Sequence, residues 1–134
     1  MLKLIKIVLR DNSYAIAITI TIAIAVLSLM HITASPKIIP SAYDDKLKHC
    51  LAYFVLTCSW YFALDSSNKL SQYSFRIAIA IFMYGILMEF LQHNYTNYRQ
   101  ADMFDILANS FGIFLAATGY RRLVKLVKHH IVQL

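Results

Sequence analysis

The residues that could carry chemistry fall into two short stretches of an otherwise apolar chain. In the first, Asp45, His49 and Tyr53 follow one another at intervals of four and would share one helical face. The second stretch runs from 84 to 112, and its polar members are Glu89, Gln92, His93, Arg99, Asp102, Asp105 and Asn109. Because 59% of the chain is hydrophobic, a charge density this high requires a functional or structural explanation.

Two kinds of chemistry fit these residue types. A carboxylate beside a histidine can act as a general acid or base, so His49, Glu89 and Asp105 are the candidates for catalysis. No Ser or Cys nucleophile is visibly paired with them, because Cys50 directly follows His49 and adjacent helical residues diverge by about 100°. The alternative is binding, since Arg99 could hold a carboxylate or phosphate through two parallel hydrogen bonds.

The same acids and His49 are ligand types for a divalent metal. However, the sequence contains no HExxH or other tight metal-ligand spacing. It therefore assigns no metal site and no cofactor, while a divalent metal remains an open alternative. Cys50 and Cys58 would lie about 12 Å apart along a helix, which is too far for a disulfide.

The composition predicts a single all-α membrane domain spanning residues 1–134. Its mean hydropathy is +0.55 and it contains only three Gly and two Pro, which is typical of a small polytopic membrane protein. We expect a four-helix transmembrane bundle with spans at about 13–32, 46–64, 75–93 and 102–120. A cleaved signal peptide ending near 33–35 is the alternative for the first span, but the apolar run exceeds an ordinary signal sequence.

The segments outside the spans are basic or polar. Residues 1–12 form a short basic lead-in, and Asp44 or Asp45 is a plausible N-cap for the second helix. The tail at 121–134 predicts an amphipathic basic helix, either lying on an anionic membrane surface or ending in solvated charges. Its basic arc comprises Arg121, Arg122, Lys125, Lys128 and His129.

The distribution of Lys and Arg predicts the orientation. Of 13 such residues, nine fall on the side of the termini and four on the other, so both termini should be cytoplasmic. This rule also accounts for the net charge of +6 without a nucleic-acid partner. The loops at 33–48 and 94–101 then share the outer face, where the candidate pocket comprises Asp45, Lys46, His49, Tyr53, Glu89, Gln92, Arg99, Asp102, Asp105 and Asn109.

A structural interpretation of some of these residues stays open. Arg99 could serve only to pin its loop by pairing with Asp102 or Asp105. Gln92 and Asn109 could serve only to bridge neighbouring helices. Convergence of so many polar groups on facing helices favours a pocket, because ionisable residues within membrane spans usually face the bundle interior and carry function.

The combined spacing resembles the VanZ-like family of small bacterial integral membrane proteins. The resemblance covers about 40–120 and rests on Asp45-Lys46-x-x-His49-x-x-x-Tyr53, Glu89-x-x-Gln92 and Arg99-x-x-Asp102-x-x-Asp105-x-x-x-Asn109-x-x-Gly112. Two positions depart from the family pattern: Ala116 stands where many members have a second Gly, and the position of Asp102 often holds another residue.

The resemblance implies a membrane protein of the bacterial cell envelope. Together with the Lys and Arg count, it predicts a multi-pass protein of the cytoplasmic (inner) membrane whose functional face is extracytoplasmic. Its namesake is linked to lowered susceptibility to the glycopeptide teicoplanin. We therefore expect the lipid bilayer and a cell-wall precursor, lipid head group or glycopeptide as partners. The alternative is a membrane-embedded enzyme acting on a lipid-linked envelope substrate, with Glu89 and His49 as acid and base. Neither the ligand nor the oligomeric state follows from the sequence.

Overall fold

The structure, a computed structural model, describes residues 2–30, 38, 43–95 and 102–132, with side chains from Leu4 to Val127 within those ranges. These residues are helical apart from short connections, and no β-strand occurs among them. The all-α prediction is therefore confirmed. The helices are α1 (Leu2–Asp11), α2 (Ser13–Leu29), α3 (Asp44–Ser66), α4 (Leu70–Tyr95) and α5 (Met103–Val132).

Helix α3 lies at the centre and contacts each of the other four helices. Hydrogen bonds at the helix ends fix the relative directions of the helices. Tyr14, near the start of α2, shares a 2.8 Å hydrogen bond with Ser67 at the end of α3, so these two helices are antiparallel. At the other end, Gln92 of α4 donates to the carbonyl oxygen of Ser28 in α2 at 2.8 Å.

Two apolar clusters fill the interior at different heights. The cluster in the middle of the bundle joins α3, α4 and α5 through the buried residues Tyr53, Leu56, Ile81 and Ile113. The cluster near the α3–α4 turn contains Tyr61, Leu64, Leu70 and Tyr120. The polar residues singled out in the sequence, such as His49 and Asp105, lie at the end of the bundle opposite the second cluster.

The turn between α3 and α4 is tighter than the sequence predicts. Asn68 has a φ of 57°, a left-handed conformation that Asn tolerates better than most residues. The N–H of Lys69 donates to the Leu64 carbonyl at 2.7 Å, and that of Asn68 to the Asp65 carbonyl at 3.1 Å. This hydrogen-bond pattern is a Schellman motif, and it lets α4 begin at Leu70 rather than at residue 75.

The start of α3 differs from the predicted one. Neither Asp44 nor Asp45 caps α3, because Tyr43 is the N-cap residue and makes no side-chain cap hydrogen bond. Instead, Asp44 accepts from the Ile38 N–H at 2.5 Å and pairs with Lys48 at 2.6 Å. These partners bind the Asp44 carboxylate, which therefore does not cap α3.

Helix α5 begins with a side-chain cap and runs much further than the predicted span. Asp102 Oδ1 accepts from the Phe104 N–H at 2.8 Å, which satisfies one of the unpaired donors of the first turn. The helix continues to Val132, so the predicted basic tail extends α5 instead of forming a separate element. Its side chains beyond Val127 lie outside the described residues, as does the proposed cleavage region at 33–35.

Two helices, α4 and α5, are long and apolar enough to cross a membrane. The count becomes three if α1 and α2, which meet at a 62° bend, form one span. Helix α3 has 23 residues but places four charged side chains in its first five positions. Large apolar side chains are exposed along α4 and α5, which favours lipid contact. The aromatic ones include Phe75, Phe82, Phe90, Phe104, Phe111 and Phe114.

Candidate functional site

Polar side chains from α3, α4 and α5 meet at one end of the bundle around the ring of His49. Its Nδ1 lies 3.7 Å from Glu89 Oε1, and its Nε2 lies 3.7 Å from Asp105 Oδ2 and 3.9 Å from Asp45 Oδ2. The three helices thus supply one imidazole and three carboxylates to a common centre. We call this group, with its immediate partners, the His49 cluster: Asp45, Lys46, His49, Glu89, Asp102, Asp105 and Asn109.

A close approach of α3 and α5 positions these side chains. A Cβ atom on Gly112 would lie 2.2 Å from the Cys50 carbonyl oxygen and 3.0 Å from the Phe54 backbone nitrogen. Only a glycine fits at this position, and Ala116, one turn further along α5, is fully buried. Gly119 does not take part, because a Cβ atom on this residue would meet no described atom within 4 Å.

Lys46 connects the start of α3 to the start of α5. Its ammonium group hydrogen-bonds to Asp102 at 2.5 Å and also to Asp105 Oδ1. The hydrogen bond from Lys46, together with that from the Phe104 N–H, lowers the pKa of the Asp102 carboxyl. Lys46 therefore ties the start of α3 to the start of α5. The pairing predicted for Arg99 with Asp102 or Asp105 lies outside the described residues.

Asn109 supports the ring of His49 from the buried side. Its Oδ1 lies 3.0 Å from His49 Nδ1, and the residue is only 2% exposed. Among the described residues, its Nδ2 has no hydrogen-bond partner. A Cβ on Gly85 would lie 3.4 Å from this nitrogen and 3.1 Å from the Tyr53 ring, so Gly85 leaves the space that both side chains occupy.

Two predicted site residues are buried beside the cluster with structural contacts of their own. Gln92 bridges α4 to α2 through its hydrogen bond with Ser28, which fits the helix-bridging interpretation. Tyr53 packs in the central core, with its ring centroid 6.3 Å from that of Tyr84. His93 is exposed near the end of α4.

The arrangement has two chemical capacities. His49 and Glu89 could exchange protons with a bound molecule, because the imidazole is flanked by carboxylates and is largely buried. Alternatively, Asp45, His49 and Asp105 each offer one ligand atom to a metal ion, with all three atoms within 4.8 Å of one another. The sequence did not reveal this second grouping, because its members come from two helices and their approach depends on tertiary packing.

A separate polar cleft at the opposite end of the bundle was missed by the sequence analysis. Its volume is about 390 Å³ and its lining includes Asp65, Ser71, Tyr120, Arg121 and Lys125. Tyr120 donates to the Asp65 carboxylate at 3.5 Å. The sequence offered one indication of this cleft, because these residues fall at the ends of helices that were expected to be antiparallel.

Comparison with known proteins finds a relative that matches part of the chain and has no described activity. The chain matches no known protein-family profile, and no solved structure matches it. A protein of Schizosaccharomyces pombe described as uncharacterized is 33% identical over 78 residues, covering 58% of this chain and 47% of that relative. The chain thus spans about half the length of the curated relative it matches. Membership of the VanZ-like family stays a prediction.

Proposed function

We propose that this chain is a VanZ-like membrane protein whose His49 cluster binds a molecule of the bacterial cell envelope. The observation that carries the proposal is the burial of Glu89, Asp105 and Asn109 around His49 at one end of an apolar bundle. Charged groups are expensive inside a membrane protein and usually mark a ligand or ion pathway. A purely structural helical module would have little use for so many of them.

The proposed setting is the bacterial inner membrane, with α2, α3, α4 and α5 as four spans and both termini cytoplasmic. The excess of Lys and Arg on the side of the termini supports this orientation. The alternating directions of neighbouring helices also fit four spans. In this orientation the His49 cluster faces outward, where a cell-wall precursor, a lipid head group or a glycopeptide can reach it.

The charge of the cluster restricts how such a ligand binds. Among its described residues, four carboxylates face one lysine and one histidine. The ligand atoms that contact them directly are therefore ammonium groups or other hydrogen-bond donors. An anionic group would need a counter-charge, which Arg99 is the sequence-based candidate to supply.

A second candidate function is catalysis within the membrane. It is favoured by the placement of His49 within 3.7 Å of both Glu89 and Asp105, the arrangement in which carboxylates orient a histidine for proton transfer. In that case Glu89 and His49 serve as acid and base on a lipid-linked envelope substrate. Turnover of such a substrate by the purified protein would distinguish this candidate from binding alone.

The proposal is tested by teicoplanin susceptibility in a sensitive bacterial host. Wild type, His49→Ala, Glu89→Gln and Arg99→Ala are expressed at equal membrane levels, with Asp65→Asn at the opposite end as the control. We expect protection from the wild type and the control, and its loss in the three cluster variants. Equal protection by all five proteins would exclude the cluster from this phenotype, and a wild type without protection would contradict the teicoplanin link.

A further inference from the structure

We infer that the His49 cluster contains a divalent metal site formed by Asp45, His49 and Asp105. The Nε2 atom of His49 lies 3.7 Å from Asp105 Oδ2 and 3.9 Å from Asp45 Oδ2, distances too long for hydrogen bonds. Two ligands that each lie about 2.1 Å from a metal can be separated by at most about 4.2 Å. The three atoms thus need to move by only a fraction of an ångström to share one ion.

The hydrogen bond on the other ring nitrogen prepares His49 for this role. Asn109 presents an amide oxygen to Nδ1 at 3.0 Å, and an oxygen of this kind can only accept. Nδ1 therefore carries the hydrogen, and in the neutral ring Nε2 points a lone pair at two carboxylate oxygens. This lone pair and the two carboxylate oxygens repel one another, and a cation between them, either a proton or a metal ion, removes the repulsion. Metal-ligating histidines are held in the same way, with the second N–H bonded to an oxygen.

Lys46 fixes the orientation of the Asp105 carboxylate. Its ammonium group hydrogen-bonds to Oδ1 of Asp105, which leaves Oδ2 directed toward His49. The same ammonium group is held by Asp102, so its position is restrained on two sides. Ligating carboxylates are commonly hydrogen-bonded in this manner by neighbouring groups.

Two further features indicate that a ligand enters the cluster. The side chain of Asp45 is 44% exposed, which gives an ion a path from solvent. The buried Nδ2 atom of Asn109 has no partner among the described residues, and such an unsatisfied donor requires an explanation. The metal ion itself cannot satisfy this donor, whereas a hydrogen-bond acceptor on a molecule bound beside it would.

The donor set indicates which ions fit. One imidazole and two carboxylates suit Zn²⁺ or Mn²⁺ better than a thiol-seeking ion. Three protein ligands leave at least one coordination position open, as in sites that bind water or substrate. A divalent ion would also neutralise most of the negative charge of the cluster, and its open coordination position could take a phosphate or carboxylate oxygen. The binding of a phosphate or carboxylate rests on the proposed function, whereas the binding of the ion does not.

The test uses the full chain, purified in detergent and stripped with EDTA. Mn²⁺ binding is followed by electron paramagnetic resonance, and Zn²⁺ binding by calorimetry. We expect about one ion per chain and at least a tenfold weaker affinity in Asp45→Asn and His49→Ala. Asp65→Asn, at the far end of α3, should bind as the wild type does. Because Asp45 is half-exposed, its substitution should leave the fold intact, which circular dichroism verifies.

Two substitutions of Asn109 test the orientation of the His49 ring. Asn109→Ala removes the acceptor on Nδ1 and should weaken binding by about 10- to 100-fold. Asn109→Asp keeps an acceptor there and should retain binding. A wild type that binds no more Mn²⁺ or Zn²⁺ than folded Asp45→Asn and His49→Ala would overturn the metal site, whatever the teicoplanin result. Ion binding without teicoplanin protection would support the site and contradict the teicoplanin link.

Discussion

At the scale of single residues, Lys46 is the side chain that keeps the acids of the cluster together. Its ammonium group pairs with both Asp102 and Asp105, and Asp105 is buried. Removing the cation would leave a buried carboxylate without its partner, which is among the more costly changes in a protein interior. About a quarter of the Lys46 side chain remains exposed, so solvent will offset part of this cost.

We therefore expect Lys46→Met to lower the free energy of unfolding by roughly 1–3 kcal/mol. Lys69→Met is the control, because Lys69 is exposed at the far end of the bundle. Its substitution should change the free energy of unfolding by no more than about 0.5 kcal/mol. Unfolding in mixed micelles measures both variants, and equal losses would contradict the bridging role of Lys46.

Asp102 gives a pH-dependent prediction. Because its pKa is lowered in the folded protein by Lys46, its ionised form stabilises the fold above the unfolded pKa of about 3.9. This contribution should disappear as the pH falls through the lower, folded pKa. Asp102→Asn retains an oxygen for the α5 cap and removes only the charge. The melting temperature of the wild type should exceed that of the variant at pH 6, and the difference should shrink as the pH falls below the unfolded pKa of about 3.9; a constant difference would be the contrary result.

At the scale of the elements, Gly112 sets the distance between α3 and α5. Its neighbours are backbone atoms of α3, which cannot rotate away as a side chain would. Gly112→Ala should therefore push the helices apart, cost about 2 kcal/mol or more and weaken the contact between His49 and Asp105. Gly119→Ala is the control on the same helix, where open space and the better helix propensity of Ala predict a neutral or slightly stabilising effect. Equal melting temperatures for the two variants would argue against this close contact.

The helical faces of the site were predictable, whereas the pairings between them were not. Intervals of four place Asp105 beside Asn109 on any helix, so the sequence predicts which residues share a face. Which of them meets Lys46 or His49 depends on the offset between α3 and α5, and this offset is set by the contact at Gly112. The start of α4 was misplaced for a similar reason, because the left-handed Asn68 ends α3 abruptly and polar composition alone had suggested a longer turn.

At the scale of the whole molecule, α4 and α5 are the helices whose length and exposed apolar surface suit a bilayer. Helix α4 has 26 residues, which corresponds to about 39 Å, and α5 has 30, about 45 Å. Both exceed the roughly 30 Å hydrocarbon core of a bilayer. The end of α5 should then project beyond the membrane, which accounts for its basic side chains.

Cysteine labelling at the two ends of α4 tests the orientation of the whole protein. In a background lacking Cys50 and Cys58, Ser71→Cys places a thiol near the start of the helix and Tyr95→Cys places one at its end. Both parent positions are exposed. If the termini are cytoplasmic, a membrane-impermeant maleimide should label Tyr95→Cys on intact cells and Ser71→Cys only after lysis. The reverse pattern would turn the His49 cluster toward the cytoplasm and exclude an extracellular ligand, while identical labelling of the two variants would contradict a span by α4.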